Sequence, residues 1–257
     1  MKRGNYLKVM EKNKPTVDII SEIKSNHPFW GYRRVWAHLY FINKIKISKN
    51  RVYRLMRLNS LLVKPNLKLK AKRTKIKSKP IPSKPNEWWG IDMTKVMIDG
   101  FGWVYLVVVI DWYTKKIVGN YSGIQAKADN WLEALDIAVN SQFPNGVRSQ
   151  NLKLMSDNGS QPTSTKFIKN CSLMEIKQAF TSYGNPKGNA DTERVMRTIK
   201  EELVWLNEWT SPDLFFKAFN KWITYYNNEY LHSTLGYLTP SNFEQKYHEK
   251  ILLSFAC

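Results

Sequence analysis

Trp88-Trp89-Gly90-Ile91-Asp92-Met93-Thr94, then Trp103-Val104-Tyr105-Leu106-Val107-Val108-Val109-Ile110 beyond a Gly100 and Gly102 turn, then Lys116-Ile117-Val118-Gly119-Asn120-Tyr121-Ser122, decide the fold. Three strand-length runs of apolar, β-branched and aromatic residues, separated by turn residues, read as a three-strand meander. Downstream, Trp131, Ala134, Leu135 and Ala138 recur at helical spacing within residues 128–141. A short strand at 152–155, a helix near 163–170, a strand around 175–180 and helices over 190–207 and 212–228 complete the pattern. The order strand, strand, strand, helix, strand, helix, strand, helix predicts an α/β fold of ribonuclease H-like layout, a mixed sheet flanked by helices. Such a fold by itself does not give a function.

Upstream the character changes. Between residues 16 and 62 apolar side chains such as Tyr32, Trp36, Leu39 and Tyr40 follow helical spacing, with breaks at 28–31 and around Lys46, so three short helices are expected. The third starts at Ser48, a good N-cap, buries Val52, Leu55 and Met56, and turns Arg51, Arg54 and Arg57 outward. Those arginines fit a DNA-contacting helix and a solvated face equally well. From Lys64 to Lys84 there are nine Lys and Arg and no acid, with Pro80, Pro82 and Pro85 in or beside the run. No core can form there. Such a segment self-repels until phosphates neutralise it, which suggests a linker that follows a DNA backbone, a plain flexible spacer being the alternative. The expected organisation is a small helical DNA-binding domain at 1–62, a basic linker at 63–86, an α/β core at 87–247 and a tail at 248–257.

Composition points the same way. Forty basic residues against twenty-one acidic ones give the 257-residue chain a formal charge of +19, the sign that suits a polyanion. A basic membrane binder shares that sign, but ten Trp and thirteen Tyr spread along the chain suit cores and contacts better. The longest apolar run, 103–110, is far short of the roughly 20 residues of a membrane span, so a soluble, cytoplasmic protein with no membrane partner is expected. Two cysteines, Cys171 and Cys257, define no disulfide framework, and four histidines without a CxxC companion make structural zinc improbable.

Three acids stand out by position. Asp92 lies in the first strand, Asp157 directly follows the strand at 152–155 within Ser156-Asp157-Asn158-Gly159, and Glu193 lies near the start of a helix. Acids at such places can converge on one sheet edge, where a divalent cation would hold them together. Taken singly, each could be an ordinary turn or helix-start residue. Their combination carries the reading.

Further motifs carry a family resemblance. Gly31-Tyr32-Arg33-Arg34-Val35, Asn86-Glu87-Trp88-Trp89-Gly90-Ile91-Asp92-Met93-Thr94, Val109-Ile110-Asp111-Trp112-Tyr113-Thr114 and Ser156-Asp157-Asn158-Gly159-Ser160-Gln161 are followed by Gly188-Asn189-Ala190-Asp191-Thr192-Glu193. Tyr226-Asn227 and His232-Ser233-Thr234-Leu235-Gly236-Tyr237-Leu238-Thr239-Pro240 complete the set. Over nearly the whole chain, these resemble the DDE transposases and retroviral integrases, and among them the second reading-frame product of bacterial insertion sequences. In that family thirty-five residues separate the second Asp from the Glu, as they separate Asp157 from Glu193 here.

The resemblance implies that Asp92, Asp157 and Glu193 are both catalytic residues and metal ligands, with Mg²⁺ as cofactor, Mn²⁺ as a substitute and no zinc. Water, then a DNA 3′-hydroxyl, would be the nucleophile. Asp111 and Asp191 also match family positions, but a strand end and a helix start suit structural acids. Partners would be inverted-repeat DNA ends and target DNA, other copies of the chain assembled on DNA, and a first-reading-frame helix-turn-helix protein or fusion. The DNA-binding candidates are Arg33, Arg34, Arg51, Arg54, Lys68, Lys70, Lys72, Arg73, Arg197 and Lys200. Lys200 lies seven residues after Glu193, about 20° short of two turns and some 10 Å along the same helix face. Arg197 could instead form an i,i+4 ion pair with Glu193. Two rivals remain open to test: a catalytically silent DNA-binding protein on an integrase scaffold, and a ribonuclease H-like nuclease acting on RNA–DNA hybrids.

Overall fold

The computed structural model describes residues 3–63, 80–181 and 188–255, and the chain divides into two compact units, Met1–Arg73 and Thr74–Cys257. Lys68, Lys70, Lys72, Arg73 and most of the basic linker therefore lie outside the described residues.

The first unit is helical: α1 (Arg3–Asn26), α2 (Tyr32–Ala37), which runs on into a π-helical turn at His38–Ile42, and α3 (Lys49–Leu58). Its core gathers Ile20, Ile23, Trp30, Val35, Leu39, Val52, Leu55 and Met56. Ser48 caps α3, its Oγ accepting from the Arg51 amide at 3.3 Å, so the free amides of the first turn are partly satisfied. One expectation needs correction. α1 begins at Arg3, ahead of the helical pattern read from residue 16, and carries Pro15 inside it, the residue at which a sequence reading breaks a helix.

The second unit is built on one five-stranded sheet in the order β3-β2-β1-β4-β5: β1 (Trp88–Ile98), β2 (Gly102–Asp111), β3 (Ile117–Gly123), β4 (Lys153–Ser156) and β5 (Lys177–Phe180). The first three pair antiparallel, while β1 with β4 and β4 with β5 pair parallel, so the sheet is mixed as expected. The continuous apolar run in β2 follows from burial on both faces. Val104, Leu106, Val108 and Ile110 meet one core and Val107 and Val109 the other. The second core is closed by α4 (Ala128–Gln142) through Trp131, Ala134, Leu135 and Ala138, and by α5 (Thr165–Leu173) through Phe167 and Cys171. The first is closed by α6 (Ala190–Glu202) and α7 (Pro212–Asn228). Phe215, Phe219, Trp222 and Tyr226 recur along one stripe of α7, and truncating a buried ring such as Phe219 to Ala would cost about 3–5 kcal/mol.

Two differences from the sequence reading have local causes. β1 extends four residues beyond Thr94, because Val96 and Ile98 are buried while Lys95 and Met97 face outward, an alternation of half-buried strand that the apolar run did not announce. The segment expected to be a tail at 248–257 instead continues α8 (Pro240–Phe255). Pro240 opens that helix, the Thr239 hydroxyl accepts from the Asn242 amide at 3.2 Å, and Phe243 and Tyr247 pack on the Tyr113 ring. Among the described residues no helix is long and apolar enough to cross a membrane.

Candidate active site

The sheet brings the first two acids side by side. β1 and β4 pair in parallel from Trp88 with Lys153 to Gly90 with Met155, and each acid lies two residues beyond that last pair, Asp92 within β1 and Asp157 just past the end of β4. Neighbouring strands lie about 4.8 Å apart. Asp157 is exposed in the bend after β4, where its Oδ1 accepts from the Gly159 amide at 3.0 Å. The bend is tied down from the next strand by Asn158 Nδ2, which donates to the Thr181 carbonyl at 2.7 Å.

Glu193 arrives on the first turn of α6, which packs on β1 through Val195, Met196 and Ile199. Its backbone amide donates to the Asn189 carbonyl at 3.0 Å, and its side chain is exposed. The start of α6 is also fixed by Asp191, whose carboxylate pairs with Lys115 Nζ at 3.0 Å.

The electrostatics register this convergence. Burial pushes the Asp92 carboxyl up to about 6, and the charges of Asp157 and Glu193 push in the same direction. The Met93 amide, donating to Asp92 Oδ1 at 2.8 Å, and the Lys200 ammonium oppose the rise. Partial burial raises Glu193 as well. Asp111 differs. It is 1% exposed and accepts from the amides of Asn86, Tyr113 and Thr114 and from the Thr114 hydroxyl, at 2.6 to 2.9 Å. It closes the β2–β3 turn as a structural acid.

Among the described residues no group of three or more His, Cys, Asp or Glu side chains stands close enough to hold a metal ion as it is placed here. Asp92 is within electrostatic reach of both Asp157 and Glu193, and the donors that these three acids offer are carboxylate oxygens alone. That donor set fits a hard divalent cation that keeps several waters, and it offers no thiolate or imidazole. A cation there would also neutralise the repulsion that raises Asp92.

The candidate DNA contacts fall into three groups. On the second unit, Lys200 is half-buried and within electrostatic reach of Asp92, but Arg197 Nε pairs with Glu201 Oε1 at 2.7 Å. The i,i+4 partner of Arg197 is thus Glu201 and not Glu193, a choice that the spacing alone leaves open in both directions along the helix. On the first unit, Arg33, Arg51 and Arg54 are exposed and Arg34 is half-buried. The Arg33 and Arg34 guanidiniums lie over the Tyr32 and Trp30 rings, and Arg51 donates to Asn13 Oδ1 at 2.8 Å. The third group, Lys68, Lys70, Lys72 and Arg73, lies outside the described residues.

Sequence reasoning assigned no role to Gly90, Trp112, Asn189 or Thr192, which surround the β1 backbone just before Asp92. The available signal was Gly90 itself, since a glycine inside an apolar strand marks a close backbone approach.

The chain is similar to known proteins. Two models of the integrase core domain match residues 82–186 and 174–240, and an HTH-like domain model matches residues 11–68. The chain is 28% identical to a putative transposase of insertion sequence element IS150 from Escherichia coli K12, over 94% of this chain and 88% of the relative. It is 27% identical to the transposase of insertion sequence element IS629 from Shigella sonnei, over 88% of this chain and 77% of that protein. Among solved structures, a chain of the simian T-cell lymphotropic virus intasome in complex with PP2A regulatory subunit B56 gamma superposes with a TM-score of 0.53. It covers 88% of this chain and 74% of that one at 16% identity, a likeness of fold.

Proposed function

The chain belongs to the integrase-core family of insertion-sequence transposases, and from that premise we propose that it cuts the ends of an insertion sequence and joins them to target DNA, using Asp92, Asp157 and Glu193 to hold divalent metal. The observation that carries the proposal is the state of Asp92. Burial, with the charges of Asp157 and Glu193 within electrostatic reach, already disfavours the charge on Asp92, which costs stability and supports a role in holding a cation.

Mg²⁺, or Mn²⁺ in its place, would supply Lewis acidity to the attacking and leaving oxygens of a phosphoryl transfer. Asp92 and Asp157, brought by the paired strands β1 and β4, would provide the fixed part of the ligand set, and Glu193 would complete it from the exposed start of α6. Zinc is not expected. Lys200 stands near Asp92 as a cation with no acid–base task, suited to fixing a phosphate of the transferred strand. The helical unit would contact the element's inverted-repeat ends through Arg33, Arg34, Arg51 and Arg54, and the basic run around Lys68, Lys70, Lys72 and Arg73 would add phosphate contacts. Joining two ends to one target calls for several copies on DNA, with a first-reading-frame helix-turn-helix protein as a candidate companion. Such work is cytoplasmic in a bacterium.

The test is cleavage and strand transfer on end-bearing duplexes by the wild type and by Asp92→Ala, Asp157→Ala and Glu193→Ala. Activity should require Mg²⁺ or Mn²⁺, stop with EDTA, and vanish in all three variants while end binding persists. Turnover within tenfold of wild type in any of the three would overturn the assignment.

A further inference from the structure

At Gly90 the start of α6 comes close against β1. A Cβ at this position would lie 2.0 Å from Thr192 Oγ1, 2.4 Å from Trp112 Nε1 and 2.9 Å from Asn189 Oδ1, so only glycine admits the first turn of the helix here. The three side chains are buried: Thr192 and Trp112 completely, and Asn189 to within 3%. Trp112 Nε1 donates to Thr192 Oγ1 at 3.2 Å, while the Trp112 amide donates to the Trp88 carbonyl at 3.0 Å and the two indoles stack.

Asn189 makes the decisive connection. Its Nδ2 donates to the Ile91 carbonyl at 3.4 Å, on the peptide that enters Asp92, and its own carbonyl accepts from the Glu193 amide. One residue therefore ties the backbone of the first acid to the backbone of the third. Its Oδ1 is buried with no hydrogen-bond partner among the described residues.

We infer that Asn189 and Thr192, seated on Gly90 and Trp112, are positioning residues that set the separation of Asp92 and Glu193 and hence the affinity of the acids for divalent metal. The inference rests on the metal-holding role proposed above. It concerns the spacing of two ligands brought from positions about a hundred residues apart in sequence, and neither residue touches substrate. Thr192→Val keeps the shape and removes the acceptor for Trp112. Asn189→Ala removes the link to Ile91. Thr192→Ser keeps the hydroxyl.

The experiment titrates the full-length chain with Mn²⁺, following free ion by electron paramagnetic resonance, alongside melting curves and the Mg²⁺ dependence of strand transfer. Expected results are a five- to twentyfold weaker Mn²⁺ dissociation constant in Thr192→Val and Asn189→Ala, a matching rise in the Mg²⁺ needed for half-maximal joining, and near wild-type values in Thr192→Ser. Joining at saturating metal should recover most of its rate, which a loss of folding would not allow. Wild-type Mn²⁺ affinity in both Thr192→Val and Asn189→Ala would overturn this inference alone. A wild type that binds no Mn²⁺ would overturn the metal-holding role, and this inference with it.

Discussion

Asp92 and Asp111 stand on adjacent antiparallel strands of the same sheet, yet their surroundings are opposite. Asp111 sits at the end of β2 and meets four donors from the turn that it closes and from Asn86. Asp92 sits inside β1, receives one hydrogen bond among the described residues, from the Met93 amide, and faces the charges of Asp157 and Glu193. Burial raises both carboxyls, but at Asp111 hydrogen bonds answer the desolvation and at Asp92 like charges add to it. The contrast separates an acid whose charge the fold itself satisfies from one for which the proposed metal would do so.

Stability measurements can break that contrast. Asp111→Ala strands three backbone amides and should lower unfolding free energy by roughly 3–5 kcal/mol, read from urea titration, with Asp111→Asn milder because one acceptor oxygen remains. Asp92→Asn should do the reverse in metal-free buffer. The folded Asp92 carboxyl titrates near 6, above its ordinary value of 3.8, so its charged form costs stability once the pH rises through that window. Removing the charge at pH 7 should raise stability by about 1–2 kcal/mol. A loss there would place Asp92 with the structural acids.

His27 extends the same logic to the helical unit. Burial, aided by the charges of His38 and Arg34, holds it down to about 4, and its ring stacks on Trp30 at 3.9 Å. Between pH 6.5 and 4 the unfolded chain carries the extra proton, so stability should fall as the pH drops through that window and lose nothing further from His27 below it. Urea titrations at pH 7 and 4.5 should show a difference smaller in His27→Gln than in the wild type, by on the order of 1–2 kcal/mol. Equal pH dependence in both would show that His27 is not desolvated.

The smallest expected effect is at Lys200, the cation that partly offsets the acids. Lys200→Ala should weaken end binding and slow joining severalfold at matched salt with little change in stability, and Lys200→Glu should do more, since it adds repulsion of phosphate. Wild-type behaviour in both would make it a solvated face residue.

Much of this was legible in sequence because it depends on periodicity and local chemistry. The continuous apolar run of β2, the Ser48 cap and the turn after β4 all lie within a few residues of the signal that announces them. What escaped was decided by distant partners. The helical course across Pro15 and the continuation of α8 past residue 247 depend on the helix around them and on Tyr113, 130 positions before Phe243 in the chain. Arg197 had an acid four residues away on either side, and only the fold selects Glu201. The seat that Gly90 offers to Asn189 and Thr192 joins segments whose sequences show no relation, so the acids were visible and the device that spaces them was not.

The most direct test compares Asp92→Asn and Asp111→Asn in single-turnover strand transfer with Mg²⁺, corrected for the folded fraction from parallel melts. The expected result is joining reduced at least a hundredfold in Asp92→Asn despite its higher metal-free melting temperature, and joining within a few-fold of wild type per folded molecule in Asp111→Asn. Joining retained within tenfold by Asp92→Asn, or lost equally by the two variants, would contradict the division of labour between these two acids and the metal-holding role of the first.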